Sequence, residues 1–171
     1  MTVSGSARGS ESPGGVLVAE VTRDELDGAD LLRGLGTRSD GAVLVFEGRV
    51  RDHNAGREVV ALHYDAYREM ADDVLREIAS EALQESGASA IGVRHRVGSL
   101  VPPAVSLVVA VAAAHRRPAY EASSYVIEEL KRRLPLWKRE EYADGTHRWL
   151  GGQTPPVGHP DPARPAGRDL G

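Results

Sequence analysis

Hydrophobic and polar positions along the 171-residue chain alternate between two periods. Residues 16–22, VLVAEVT, and 41–51, GAVLVFEGRVR, are apolar and β-branched, which predicts strands; the second opens after the turn signal Ser39-Asp40-Gly41. Between them DELDGADLLRGL, 24–35, predicts a short helix that Gly28 weakens. The polar DHNAGRE, 52–58, reads as a loop, so 41–51 and the next strand, VVALHYDAY at 59–67, are expected to form a long-looped hairpin. Over 68–86, Met70, Val74, Ile78, Ala82 and Leu83 recur at helical spacing. Strands at 90–97 and 105–113 flank a turn at Pro102-Pro103. Residues 118–134 predict a second amphipathic helix with Ala122, Val126, Leu130 and Leu134 on one face. LWKREEYA and THRWL close the pattern as a hairpin around Asp144-Gly145.

The order βαββαββαββ belongs to the α+β class: two main helices packed on an antiparallel or mixed sheet, α/β-hammerhead-like, with a small closing hairpin. Residues 1–14 and 151–171 are rich in Gly, Pro and Ser and are expected to be disordered tails. That leaves one domain, 15–150.

Composition then removes chemistries. There is no cysteine, so the chain has no disulfide, thiolate nucleophile, persulfide or cysteine-ligated metal. Any sulfur chemistry must draw its sulfur from another molecule. The formal net charge of -4 does not favour nucleic acid or an anionic membrane as partner, and an anion site must be a local cluster. No apolar run reaches the roughly 20 residues of a spanning helix. MTVSGSARGSESPGG lacks the apolar core of a secretory signal, so the expected compartment is the cytoplasm.

The local cluster is HRRPAYEASSYVIEELKRRLPLWKRE, 115–140, which holds both of the chain's lysines, Lys131 and Lys138. Where other cations are arginine, a lysine offers what arginine cannot: a proton it can shed and a nucleophilic nitrogen. Lys131 lies four residues after Ile127, at the edge of the apolar face, where its stem can pack. Two amines this close in sequence can depress each other's pKa. His115-Arg116 ends an apolar strand where a helix begins, a setting that suits an anion. In Arg49-Val50-Arg51, strand alternation puts both guanidiniums on one face, with either a ligand anion or Glu47 between them. His53, His63, His95 and His147 are scattered without metal-ligand spacing, so neither a metal site nor another cofactor is expected. The residues point to a basic pocket of Arg51, His115, Arg116, Lys131, Lys138 and Arg139, fit for a small phosphorylated ligand or a partner's C-terminal carboxylate.

The ordered segments GAVLVFEGRVRDHNAGREVVALHYDAY, HRVGSL and AAAHRRPAYEASSYVIEELKRRLPLWKREEYADGTHRWL resemble the large, catalytic subunit of molybdopterin synthase over about 16–150. One departure is Pro103-Ala104, where that family commonly carries Gly-Asp. The resemblance implies a sulfurtransferase that converts cyclic pyranopterin monophosphate into molybdopterin. Its sulfur would come from the C-terminal Gly-Gly thiocarboxylate of a small ubiquitin-like carrier, within a heterotetramer built on a homodimer of large subunits. It also implies residue roles. Lys131 would contact the thiocarboxylate and the carbon receiving sulfur, and Lys138 would stabilise developing negative charge. Arg49, Val50, Arg51, His115 and Arg116 would bind phosphate and pterin, with Arg116 reaching in from the other protomer, and Arg139 and Glu140 would line the same wall. The competing reading is a non-catalytic phosphate- or RNA-binding module on the same basic face, which 5% aromatic content makes a poor stacking platform.

Overall fold

The computed structural model describes residues 14–150; the two tails lie outside the described residues, apart from Gly14. In chain order the elements are β1 (Gly15–Thr22), α1 (Gly28–Leu32), β2 (Ala42–Arg49), β3 (His53–Asn54), β4 (Arg57–Ala66), α2 (Arg68–Ser86), β5 (Ala90–Arg96), β6 (Gly98–Leu100), β7 (Val105–Ala113), α3 (Arg116–Arg133), β8 (Leu136–Tyr142) and β9 (His147–Leu150).

The strand VSLVVAVAA is apolar almost throughout because β7 is covered on both sides. Leu107, Val109, Val111 and Ala113 face the main core with α2 and α3, while Val108 and Ala110 pack under Leu31 of α1. β7 sits inside a four-stranded mixed sheet of order β1-β5-β7-β2, in which only the β1–β5 pair is parallel. α2 meets the core through Ala71, Leu75, Ile78, Ala79 and Ala82, and α3 through Ala119, Ala122, Val126 and Leu130. Each fully buried Leu or Ile contributes about 1.5–3 kcal/mol. Ile78 and Ala82 of the expected α2 stripe are fully buried and Val74 and Leu83 pack at the core's edge, but Ala71 and Leu75 take the centre and Met70 is left 59% exposed.

A second, antiparallel sheet runs β3-β4-β8-β9, with β6 on the edge of β4. The expected hairpin of 41–51 with 59–67 does not form. Inside the supposed loop, Ala55 and Gly56 both have positive φ (48° and 77°), the geometry of a tight two-residue turn. This turn pairs β4 with β3 (His53↔Glu58, Asn54↔Arg57). β2, apolar on two faces, joins β7 instead, and β4 becomes the base of the other sheet.

The helix expected at 24–35 is shorter at both ends. Asp27 caps it, its carboxylate accepting from the Ala29 N–H at 2.9 Å. Gly28 comes so close to β2 that an added Cβ would lie 2.9 Å from Val45 Cγ1, and its N–H donates to Glu47 at 3.3 Å. Arg33 has already left helical backbone, at φ -70° and ψ 105°. The closing hairpin is as expected, with Gly145 at φ 79°.

Candidate active site

Helix α3 runs into β8 through Pro135, and that proline shapes the site. The residue before a proline is pushed out of helical backbone, and Leu134 sits at φ -67°, ψ 125°. The last helical turn carries Lys131, Arg132 and Arg133, where cations suit the negative end of the helix dipole. The chain then folds straight back as β8, so Lys138 faces the cleft that Lys131 overhangs. Both lysines line one cavity of about 460 Å³, together with Arg49, Tyr64, His95 and Ser106. That volume lies in the range of small-molecule sites.

The two amines have different surroundings. Lys131 is 63% exposed and forms an ion pair with Glu128 at 3.1 Å. Lys138 is half-buried. Burial pushes its amine below the ordinary lysine value; Glu140 pulls it back up, and Arg51 pushes it down. The depression expected from a neighbouring lysine thus comes from burial, with Arg51 as the contributing cation.

The other residues singled out in the sequence divide into those at the cavity and those elsewhere. Arg49 lines it, held by Glu47 at 2.6 Å, the neutralising partner that strand alternation allowed. The alternation stops there: register shifts between Gly48 and Arg49, and β2 ends. Arg51 therefore does not share the face of Arg49 by strand periodicity. Val50 is buried with Leu62 and Leu100 in a small core of its own, so its side chain does not line the cavity. Glu140 lies on the Lys138 side of β8, buried and clamped by Asn54 Nδ2 (3.1 and 3.0 Å) and by the Tyr142 hydroxyl (2.8 Å). Arg139 points to the opposite face of β8, as strand alternation requires. It is 1% exposed, donates to Glu141 at 3.2 Å and stacks over Trp149, so it does not share a wall with Lys138. His115 and Arg116 are exposed at the far end of α3, about 22 Å from Lys131 at 1.5 Å per helical residue. One chain does not bring that pair to its own lysine cavity.

Three residues of the cavity floor were missed in the sequence: Tyr64, His95 and Ser106. Burial raises the Tyr64 hydroxyl pKa, a hydrogen bond with Ser106 lowers it, and Glu140 raises it. Ser106 in turn donates to the Gly48 carbonyl at 3.1 Å. A polar residue in the otherwise apolar β7 run was the one available signal. Among the described residues no group of His, Asp and Glu is placed to hold a metal ion, and no helix is long and apolar enough to cross a membrane.

The family model for "MoaE protein" matches residues 21–133, which include Lys131, His115 and Arg116. The chain belongs to the MoaE protein family. The molybdopterin synthase catalytic subunit of Bacillus subtilis (strain 168) is 33% identical over 142 residues, covering 83% of this chain and 90% of that one. Among solved structures, molybdopterin synthase from Staphylococcus aureus superposes with a TM-score of 0.74 at 30% identity, over 78% of this chain and 97% of the other. A Helicobacter pylori structure shares the fold at 21% identity and a TM-score of 0.59, covering 75% of this chain and 86% of that one. That structure is a protein–protein complex of subunits 1 and 2 of molybdopterin-converting factor. MoaE membership confirms the α+β class and the resemblance carried by the 16–150 motifs.

Proposed function

We propose that this protein is the catalytic subunit of a molybdopterin synthase, a cytoplasmic sulfurtransferase whose working domain is 15–150. It takes sulfur from the C-terminal thiocarboxylate of a small ubiquitin-like carrier and places two sulfurs on cyclic pyranopterin monophosphate as a dithiolene. The observation that carries this is the convergence of Lys131 and Lys138 on one cavity, from a helix end and the strand that follows it. A cysteine-free chain can supply cations and amines, but the sulfur has to arrive on another molecule.

For each sulfur, a carbon–sulfur bond forms at the pterin side chain as a carbon–oxygen bond to the same carbon breaks, and the carrier's acyl carbon–sulfur bond breaks. The displaced oxygen leaves once on the phosphate, as the cyclic ester opens, and once as water. Water supplies the carrier's new acyl oxygen, so the carrier leaves as a carboxylate. Lys131 contacts the incoming thiocarboxylate and serves as proton donor or transient nucleophile. Lys138 stabilises the developing negative charge in a partly desolvated setting, where such an interaction counts most. Arg49 and Arg51 hold the phosphate, with Glu140 setting the position of the Lys138 side of the wall. His115 and Arg116, too far from the lysines of their own chain, act across a homodimer, entering the pocket of the neighbouring copy. With one carrier on each copy the assembly is a heterotetramer.

The test is single-turnover dithiolene formation with Lys131→Ala protein, thiocarboxylated carrier and the cyclic phosphate precursor. Loss of roughly 100-fold or more in rate is expected for removal of a group in direct contact with the reacting atoms. An unchanged rate removes Lys131 from the mechanism.

A further inference from the structure

Beneath the two lysines lies a histidine that the sulfur-transfer chemistry leaves unused. His95, on β5, is 4% exposed and lines the same cavity. Its Nδ1 lies 2.9 Å from the Arg96 carbonyl oxygen. A carbonyl only accepts, so Nδ1 carries the ring proton and Nε2 is left as an acceptor. The ring stands edge-to-face on Tyr64, with centroids 5.1 Å apart and planes at 74°. Tyr64 is in turn the cross-strand partner of Lys138 in the β4–β8 ladder, a relationship that brings side chains to about 5 Å between Cβ atoms. Burial lowers the imidazole to a pKa of about 4, the Arg96 carbonyl opposes this, and the nearby Lys138 charge lowers it further. The ring is therefore neutral at pH values well above 4.

The groups that act on the Lys138 amine or share its cavity include Glu140 on its own strand, Tyr64 on β4, Arg49 at the end of β2, Arg51 just beyond it, Lys131 on α3 and His95 on β5. Three of these are cations that only donate. We infer that His95 is a positioning residue for Lys138: the two side chains share the cavity without a hydrogen bond between them in this structure, and the flexible amine turns onto Nε2, the neutral acceptor there, which aims it into the cavity. This deepens the sulfur-transfer reading, on which the role of the amine rests; the contact itself does not depend on it. Tyr64 serves as the wedge that keeps imidazole and amine in register.

The chain's two lysines make the test simple, since protein grown with carbon-13 at lysine Cε shows one signal for each, assigned with a Lys131→Arg sample. The signals are followed against pH in wild type, His95→Phe and His95→Gln. Phe keeps the ring contact and removes the acceptor, whereas the Gln amide oxygen falls near the Nε2 position. An acceptor stabilises the charged amine, so His95→Phe moves the Lys138 titration to lower pH and leaves Lys131 in place, and His95→Gln restores it. Sulfur transfer falls about tenfold in the Phe variant, the order expected for one hydrogen bond to a charged group, and recovers in the Gln variant. An identical Lys138 titration in wild type and His95→Phe overturns the inference. Should the Phe variant not fold, nitrogen-15 shifts of His95 in wild type and Lys138→Met decide: Nε2 moves when its donor is removed, and a static Nε2 overturns the contact. A titration that shifts as expected in a wild-type protein with no turnover supports the contact and overturns the sulfur-transfer reading beneath it.

Discussion

Asn54 donates its side-chain amide to both oxygens of the Glu140 carboxylate, at 3.1 and 3.0 Å, across 86 positions of sequence. The short turn at Ala55-Gly56 and the inner strand β8 are thereby joined beside the lysine cavity. With Asn54→Ala, a buried carboxylate keeps the Tyr142 hydroxyl and loses its amide donor. The expected cost is about 1–3 kcal/mol of stability in denaturant unfolding. Turnover should fall as well, mainly in kcat, because Asn54 fixes the position of Glu140, the carboxylate that favours the charged Lys138 amine.

Lys138→Arg tests whether an amine, rather than any cation, is needed. A guanidinium is bulkier, planar and never neutral in a protein. The expected result is a loss of roughly 100-fold in sulfur transfer with the fold intact by circular dichroism. A variant that keeps most of the wild-type rate would reduce Lys138 to a simple counter-charge.

The pH dependence of turnover follows from the same residue. As a stabiliser of negative charge, Lys138 acts protonated, and burial has lowered its pKa from 10.5. Activity should therefore decline with rising pH before an ordinary lysine would titrate, and the declining limb should vanish from Lys138→Arg. A rate that stays flat up to the ordinary lysine range contradicts this assignment.

Stability at acid pH should report on His95. Its pKa falls from 6.5 unfolded to about 4 folded, so between those values the unfolded chain binds the extra proton. The stabilisation is fully present above pH 6.5 and is lost as pH falls toward 4, by roughly 3 kcal/mol at 1.36 kcal/mol per unit. Thermal unfolding of wild type between pH 7 and 4 should show this slope, and His95→Gln should lack that part of it. Equal slopes would contradict a buried neutral imidazole.

Arg139 separates fold from function. Because it stacks on Trp149 and bonds Glu141 on the face away from Lys138, Arg139→Met should lower stability by about 2–4 kcal/mol. The folded fraction should keep far more turnover than Lys138→Met does. Comparable losses in the two variants would return Arg139 to the cavity wall.

Much of the fold was legible along the chain because it is written in local periods. The stripe Ala122, Val126, Leu130 and Leu134 is buried as its spacing implied, and the Asp144-Gly145 turn closes the hairpin it announced. In α2 the expected Ile78 and Ala82 are buried and only Met70 is displaced, because Met70 and Ala71 are both apolar and only packing chooses between them. The wrong hairpin had a similar origin: residues 52–58 look polar and loop-like, and nothing local reveals that Ala55-Gly56 turns the chain back within two residues.

The same division holds at the site. By itself the sequence determined which side chains were available: two amines seven residues apart around a proline, no thiol, and motifs shared with one family. Only the tertiary structure decided what they face. It placed Arg139 and Val50 in packing, His115 and Arg116 at the distant end of α3, and Tyr64, His95 and Ser106 beneath the amines. Local backbone preferences act over a few neighbours and can be read from them. Sheet partners, and therefore the faces that meet across a cavity, are chosen by burial between segments far apart in the chain, a choice made only when the whole core forms.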